Sequence, residues 1–183
     1  MHRAALILSE LSAIDVRNPR ILDLGCGTGW MTAILSQFGV AEGVDLAPEP
    51  ARQFHPNLIF HRASDAPRGP FDVVVSQEVI EHVDDQSAYV ETAYEALRCG
   101  GHLILTTPNA AVSLRHPELL IQPVEKHLTQ AELRQLLSRR FEVKNIYSFF
   151  YGYARWRPYR IQMRFGKALN AGLHLMAVCQ RTQ

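Results

Sequence analysis

Apolar and polar positions follow two periods along the chain, and the switches between them set out its elements. Residues 4 to 16 place Ala5, Leu8, Leu11 and Ile14 at helical spacing before Asn18-Pro19 breaks the pattern, which predicts a leading helix. Short apolar, β-rich segments follow at Arg20 to Leu24, Ala41 to Leu46, Leu58 to Arg62, Phe71 to Ser76 and His102 to Thr107, with helix-compatible stretches between most of them. Strands alternating with helices imply a parallel sheet covered on both faces. Further on, Thr129 to Ser138 reads as a helix with Thr129 as N-cap and Glu132 three residues later, the pattern of a capping box. Two more strands, Phe141 to Phe150 and Leu173 to Gln180, flank a basic segment to which the pattern assigns no form.

With 183 residues, 47% of them apolar, the chain can bury one sizeable core, and a single domain over 1–183 is the simplest organisation. The net charge of +1 conceals an uneven distribution: residues 1 to 132 carry 9 Lys/Arg against 17 Asp/Glu, residues 133 to 183 carry 10 against 1. Such asymmetry points to an anionic partner near the second segment, or to arginines simply lying on a surface. Three widely spaced cysteines, Cys26, Cys99 and Cys179, suit reduced thiols better than a disulfide frame or a zinc motif. Met1 to Arg17 lacks the long apolar stretch and cleavage site of a signal peptide, and the expectation is a cytoplasmic protein.

One stretch concentrates the chemistry. "ILDLGCGTGW" sets Gly25, Gly27 and Gly29 directly behind an apolar strand, where glycines free the backbone for a turn and let a ligand approach it. Trp30 follows where the dinucleotide fingerprint G-x-G-x-x-G wants a small residue, which counts against a nicotinamide cofactor. Asp45 closes the second strand 20 residues after Gly25, the distance at which such folds bring a carboxylate to ribose hydroxyls.

At these residues the chain resembles the class I S-adenosylmethionine-dependent methyltransferases, over nearly its whole length and most closely the ubiquinone-pathway O-methyltransferase group. "ILDLGCGTG" is similar to the family's first motif, "GVDLA" to its acidic second, "ASDA" to the loop that meets the adenine, "FDVVVSQEVIEHV" to its fourth strand and "LRCGGHLILTTPN" to its fifth. The resemblance implies a Rossmann-like, doubly wound α/β fold: a seven-stranded, mostly parallel sheet with an antiparallel last strand, here Leu173 to Gln180. It also implies S-adenosylmethionine as cofactor. Asp23, Gly25, Gly27 and Gly29 would line its methionine part, and Cys26 and Gln77 would also count among the cofactor-binding residues. Asp45 would bind the ribose, Leu46 would cover an adenine face, and Asp65 with Ala66 would meet the adenine edge.

The acceptor side falls after strands four and five, beyond the carboxyl ends of the sheet. In "SQEVIEHVDD", a helical Glu78 to Val83 would put Glu78, Glu81 and His82 on one face, within an arc of about 100°. The segment after strand five adds Asn109, His116 and His127, one of whose histidines could reach His82. Two chemistries follow. His82 or His127, with Glu78, serves as general base for a phenol-like hydroxyl of a small organic acceptor. Alternatively Glu78, Glu81, His82 and His127 hold a divalent metal that activates a ribose 2′-hydroxyl of RNA, since the ExxEH run is also similar to that of small-RNA 3′-terminal 2′-O-methyltransferases. The plainer alternative is that Glu81 and His82 only shape the pocket, and His55, His61 and His102 read as structural.

Residues 148 to 167 interleave Arg155, Arg157, Arg160, Arg164 and Lys167 with Phe149, Phe150, Tyr151, Tyr153, Trp156 and Tyr159. That mixture fits nucleic-acid stacking, peripheral contact with an anionic membrane, or a structural wall over the sheet. The expectation is therefore an O-methyltransferase of a small acceptor, monomeric or homodimeric, with a non-catalytic cofactor-binding scaffold as the reading from another class.

Overall fold

The computed structural model describes residues 2–67, 69–113, 125–152, 161–165 and 172–183, with the backbone alone for 2, 150–152 and 161–165. Its strands are β1 (Arg20–Leu24), β2 (Val40–Asp45), β3 (Ile59–Arg62), β4 (Phe71–Gln77), β5 (Leu97–Pro108), β6 (Phe141–Gly152), β7 (Ile161–Phe165) and β8 (His174–Arg181). The helices are α1 (His2–Ser12), α2 (Trp30–Leu35), α3 (Glu49–Phe54), α4 (Gln86–Ala96), α5 (Ala110–Ser113) and α6 (Gln130–Leu137). One sheet runs in the order β3-β2-β1-β4-β5-β8-β6-β7. The pairs among β1 to β5 are parallel, whereas β8 is antiparallel to both β5 and β6. All seven expected strands are present, and β7, drawn from the basic segment, adds an antiparallel edge beside β6.

Period-2 alternation decides which face each strand residue covers. Leu22, Val74, Leu103 and Leu105 pack against Val90, Ala93 and Tyr94 of α4 and Leu133 and Leu137 of α6. Their neighbours Ile21, Val73, Val75 and Ile104 turn to the other face, against Ala4, Ile7 and Leu11 of α1 and Met31 and Leu35 of α2. Both faces are thus dry, which is why the central strands read as near-continuous apolar runs.

Helix α1 departs from expectation. It ends at Ser12, and its buried stripe is Ala4, Ile7 and Leu11 while Ala5 is exposed. Rotating the stripe by one residue puts the bulky Ile7 fully inside, where it removes more apolar surface from water than Ala5 would. β5 likewise begins at Leu97, five residues before the expected start, because Leu97 pairs with Phe71 ahead of a register shift between Phe71 and Val73.

Among the described residues the cysteines are unpaired, Cys26 and Cys179 buried and Cys99 exposed. No helix there is long and apolar enough to cross a membrane. Of the basic aromatic segment, Tyr153, Arg155, Trp156, Arg157, Tyr159, Arg160 and Lys167 lie outside the described residues, as does His116.

The capping box at α6 forms as the sequence specifies: Thr129 accepts from the Glu132 backbone and Glu132 from that of Thr129. Thr129→Ala should therefore lower unfolding free energy by about 1 kcal/mol, read as a lower urea midpoint at unchanged slope.

Candidate functional site

The turn after β1 organises everything at the carboxyl ends of the strands. Gly25, Gly27 and Gly29 have φ of 86°, 52° and 79°, left-handed values that glycine adopts without steric cost. At Gly25 a Cβ would fall 2.4 Å from Val79 Cγ2, so the turn after β4 closes directly onto the turn after β1. Gly27 instead faces open space, with no atom within 4 Å of where its Cβ would stand. Its N–H donates to Asp45 Oδ2 at 2.8 Å, and the Ala47 N–H donates to Asp45 Oδ1 at 3.1 Å. The Asp45 carboxylate is thereby fixed at the end of β2, at the rim of the crevice that opens beyond β1.

A first pocket of about 310 Å³ opens there, and Gly25, Asp45, Leu46, Ala66, Val79 and His82 contribute to its wall. Leu46 stands at its edge, 80% exposed. Tyr89 also lines it, partly buried with its hydroxyl satisfied, since that hydroxyl donates to Leu24 O at 3.1 Å and pairs with Ser76 Oγ at 2.8 Å. Asp65 ends the 3-10 turn Ala63–Asp65, exposed, and does not line the pocket.

Asp23 and Cys26 lie behind the turn rather than in front of it. Asp23 is buried and accepts from Thr32 Oγ1 at 2.6 Å; burial, only partly offset by that bond, pushes its carboxyl up to about 6. Cys26 packs with Ala51 and Phe60, and burial together with the Asp23 charge pushes its thiol up to about 12. Such a thiol is no nucleophile at neutral pH. Gln77, closing β4, keeps Oε1 buried without a hydrogen-bond partner.

A second cavity, of about 360 Å³, adjoins the first and is polar in its side chains: Arg3, Glu78, Glu81, His82, Glu125, His127 and His174 all face it. His82 belongs to both. The expected helix over Glu78 to Val83 does not form. Glu78 has φ of 56° and the 3-10 turn spans only Ile80–His82. The cause is the reversal at Glu78, whose N–H donates to Thr106 O at 3.0 Å while its carboxylate swings to Arg3 Nη1 at 3.0 Å and His174 Nδ1 at 2.9 Å. Burial works to raise the Glu78 carboxyl, but His174 and Arg3 overcome it and hold it below its ordinary range. Glu78 thus shares the cavity with Glu81 and His82 without sharing a helix face.

Glu81 is 2% exposed and accepts from Thr107 Oγ1 at 3.0 Å. Burial and the neighbouring Glu78 charge push its carboxyl up to about 8, so it is largely protonated at neutral pH. His82 is 41% exposed, with Nε2 3.9 Å from Glu81 Oε1 and Nδ1 4.0 Å from Glu125 Oε1. His127 is nearly enclosed and has both ring nitrogens engaged, Nε2 with Glu125 Oε2 at 2.5 Å and Nδ1 with Ser113 Oγ at 2.7 Å. Among the described residues no three His, Cys, Asp or Glu side chains are grouped to hold a metal ion. In the alternative set of Glu78, Glu81, His82 and His127, the Glu78 carboxylate is turned toward Arg3 and His174.

The remaining candidates are structural. His61 pairs with Glu42 at 2.8 Å, His55 packs near Phe60, and Asn109 donates to Gly172 O at 2.8 Å. Sequence reasoning missed Arg3, Ser113, Glu125 and His174. A signal existed for two of them. Glu125 precedes His127 by two residues in an extended segment, where such a pair shares a side, and His174 opens an antiparallel strand that must start at the carboxyl end of β5.

A family model described as a methyltransferase domain matches residues 2–149. The chain belongs to this methyltransferase domain family. It is of the class I, S-adenosylmethionine-dependent kind, and its similar proteins agree. It is 34% identical over 107 residues to the mitochondrial ubiquinone biosynthesis O-methyltransferase of Mus musculus, covering 49% of this chain and 29% of that protein. To the ubiquinone biosynthesis O-methyltransferase of Cereibacter sphaeroides it is 36% identical over 113 residues, covering 55% of this chain and 46% of the other. The aligned stretch thus spans less than half the length of these relatives. The crystal structure of an S-adenosylmethionine-dependent methyltransferase from Mesorhizobium loti superposes with a TM-score of 0.73 at 22% identity, over 97% of this chain and 98% of that one. The N-methyltransferase NodS from Bradyrhizobium japonicum, in complex with S-adenosyl-L-homocysteine, gives 0.70 at 17% identity, over 100% and 87%. These likenesses carry the fold.

The raised Glu81 carboxyl makes a stability prediction for this methyltransferase domain. The folded chain keeps that proton up to about 8, whereas the unfolded chain loses it near the ordinary glutamate value of 4.5, so stability falls as pH rises between the two. Glu81→Gln abolishes that fall. Its melting temperature relative to wild type should climb from pH 5 to pH 8 and level off above, and a constant offset across that range would refute the ionisation cost.

Proposed function

We propose that this domain transfers a methyl group from S-adenosylmethionine to a hydroxyl of a small organic acceptor, with His82 as general base. The observation that carries this reading is that His82 lines both the glycine-rimmed pocket and the polar cavity beside it, half-exposed between them. The residues present suit the cofactor. The open space before Gly27 allows close approach to the main chain, Asp45 offers a carboxylate for ribose hydroxyls, and the orphaned Gln77 Oε1 offers an acceptor for an ammonium. Gly25 and Gly29 shape the cradle, Asp23 holds it from behind through Thr32, and Leu46 and Ala66 flank the adenine, with Asp65 outside the pocket wall on the 3-10 turn just before Ala66.

When bound, the cofactor supplies an electrophilic methyl carbon on a sulfonium sulfur that leaves as a neutral thioether. The protein's part is to orient the acceptor, exclude water and take the hydroxyl proton. His82 Nε2 accepts that proton, which returns to solvent through the exposed part of the ring. Arg3 and His174, held by Glu78, supply donors at the far end of the cavity for a polar group of the acceptor. The ubiquinone O-methyltransferase relatives favour oxygen as the methylated atom.

Calorimetry with S-adenosylhomocysteine, combined with turnover on phenols, hydroxy acids and short RNAs, tests the reading. Asp45→Ala should weaken cofactor binding about 10-fold or more, the worth of a lost charged hydrogen bond. His82→Ala should lower kcat about 100-fold on a hydroxyl acceptor while leaving cofactor affinity within about 3-fold. Unchanged turnover in His82→Ala would remove the base role, and heat-silent titration of folded wild type would remove the cofactor itself.

A further inference from the structure

The base proposed above stands beside a carboxylate that the sequence motif did not single out. Glu125 lies between two histidines: Oε2 is 2.5 Å from His127 Nε2 and Oε1 is 4.0 Å from His82 Nδ1. Its backbone is locked to the turn that carries His82. The Lys126 N–H donates to Glu81 O at 2.8 Å, and the Gln86 amide spans the gap by donating to both Ile80 O at 3.0 Å and Lys126 O at 2.8 Å. On the far side His127 is fixed by Ser113, whose hydroxyl lies 2.7 Å from Nδ1. We infer that Glu125 is the positioning residue for His82, that His127 is the anchor which holds Glu125 in place, and that the chain Ser113–His127–Glu125–His82 sets which ring nitrogen of His82 is free to take a proton.

Hydrogen-bond accounting leads to that inference, which rests on the base role of His82. A carboxylate only accepts, so each histidine beside it turns an N–H toward it. His127 presents Nε2–H to Glu125, leaving Nδ1 to accept from Ser113. His82 presents Nδ1–H, and Nε2 is left with its lone pair toward the cavity. In neutral imidazole the hydrogen bond made by one nitrogen fixes the role of the other. The remaining neighbour of the His82 ring, Glu81, favours the same tautomer: its Oε2 accepts from Thr107, and its carboxyl, largely protonated at neutral pH, faces Nε2 from 3.9 Å as a donor rather than an acceptor. The 4.0 Å separation is long for a hydrogen bond, as expected for a site without its acceptor, where catalytic contacts tighten only in the complex. In turnover the hydroxyl proton would pass to His82 Nε2 as the oxygen–methyl bond formed and the methyl–sulfur bond broke with a neutral thioether as leaving group, and the imidazolium, steadied by Glu125, would then release the proton to water.

The decisive variant is Glu125→Gln. An amide has one acceptor and one donor end, so it satisfies His127 and turns its NH₂ toward His82 Nδ1, reversing the tautomer and capping Nε2 with hydrogen. The expected result is a kcat about 100-fold lower with KM for acceptor and cofactor within about 3-fold. Nitrogen-15 NMR of the neutral imidazole should show the His82 Nδ1–H form in wild type and the Nε2–H form in the variant. His127→Gln acts only through Glu125, so the double variant should be no slower than Glu125→Gln alone. S-adenosylhomocysteine calorimetry verifies that each variant is folded. An unchanged His82 tautomer with unchanged kcat in Glu125→Gln overturns the inference, as do additive losses in the double variant. A tautomer that reverses in a protein methylating no hydroxyl would uphold the Glu125 assignment and remove the hydroxyl-methylation reading instead.

Discussion

The closure of the β4 turn onto the β1 turn is the contact on which the site depends. Val79 sits where a side chain at Gly25 would have to be, with 2.4 Å to the position of the missing Cβ. Any larger residue there would push apart the two loops that border the crevice between β1 and β4. Because they meet, the 3-10 turn Ile80–His82 starts immediately beside the glycine turn, and His82 is carried to the point where the apolar pocket and the polar cavity touch. Strand order supplies the rest. β1 has β2 on one side and β4 on the other, so the crevice opens where the connections diverge, the place such sheets use for ligands.

Electrostatics divides this sheet into a stabilising and a functional part. Away from the site, buried acids have partners that overcome desolvation: Arg20 and His61 hold Glu42 below its ordinary range, and Arg98 and Arg20 do so for Asp72. These groups favour the fold above their unfolded values and lose that effect in acid. At the crevice Glu78 has such partners in Arg3 and His174, but two other acids lack them. Asp23 and Glu81 are buried with neutral donors, the hydroxyls of Thr32 and Thr107 and backbone N–H groups, and both are pushed upward. Hydroxyl bonds are weaker than bonds to a cation and leave most of the desolvation cost standing. The acids beside the glycine turn and His82 are therefore less favourable to the fold than those at the other end of the strands.

Much of this was legible in the chain. β1 was bounded correctly because Pro19 and Gly25 punctuate it, and α6 because its capping box is a local signal that needs no tertiary information. The elements misread were those decided by distant partners. Glu78 has no local reason to adopt a left-handed φ; Arg3 and His174, 75 and 96 positions away, hold its carboxylate and turn the backbone. The stripe of α1 is likewise fixed by the sheet beneath it. Of the residues expected at the cofactor, Gly25, Asp45, Leu46 and Ala66 do line one pocket, whereas Asp23 and Cys26 support the turn from behind. Spacing along a motif gives proximity to a turn; it does not say on which side of the turn a side chain falls.

The division between what the family shares and what this chain determines follows the same geometry. The matched region, residues 2–149, contains the glycine turn, Asp45, the Glu78 to His82 turn, Glu125 and His127. Leu173 and His174 lie beyond it and yet wall the polar cavity, with His174 stacked on Phe149 and paired with Glu78. Antiparallel entry of β8 makes this arrangement unavoidable, since its first residues must arrive at the end of the sheet where the parallel strands leave. A change at the start of β8 therefore alters the polar cavity without touching the glycine-rimmed pocket. The far wall of that cavity thus joins Arg3 from the first helix to His174 from the last strand across the Glu78 carboxylate.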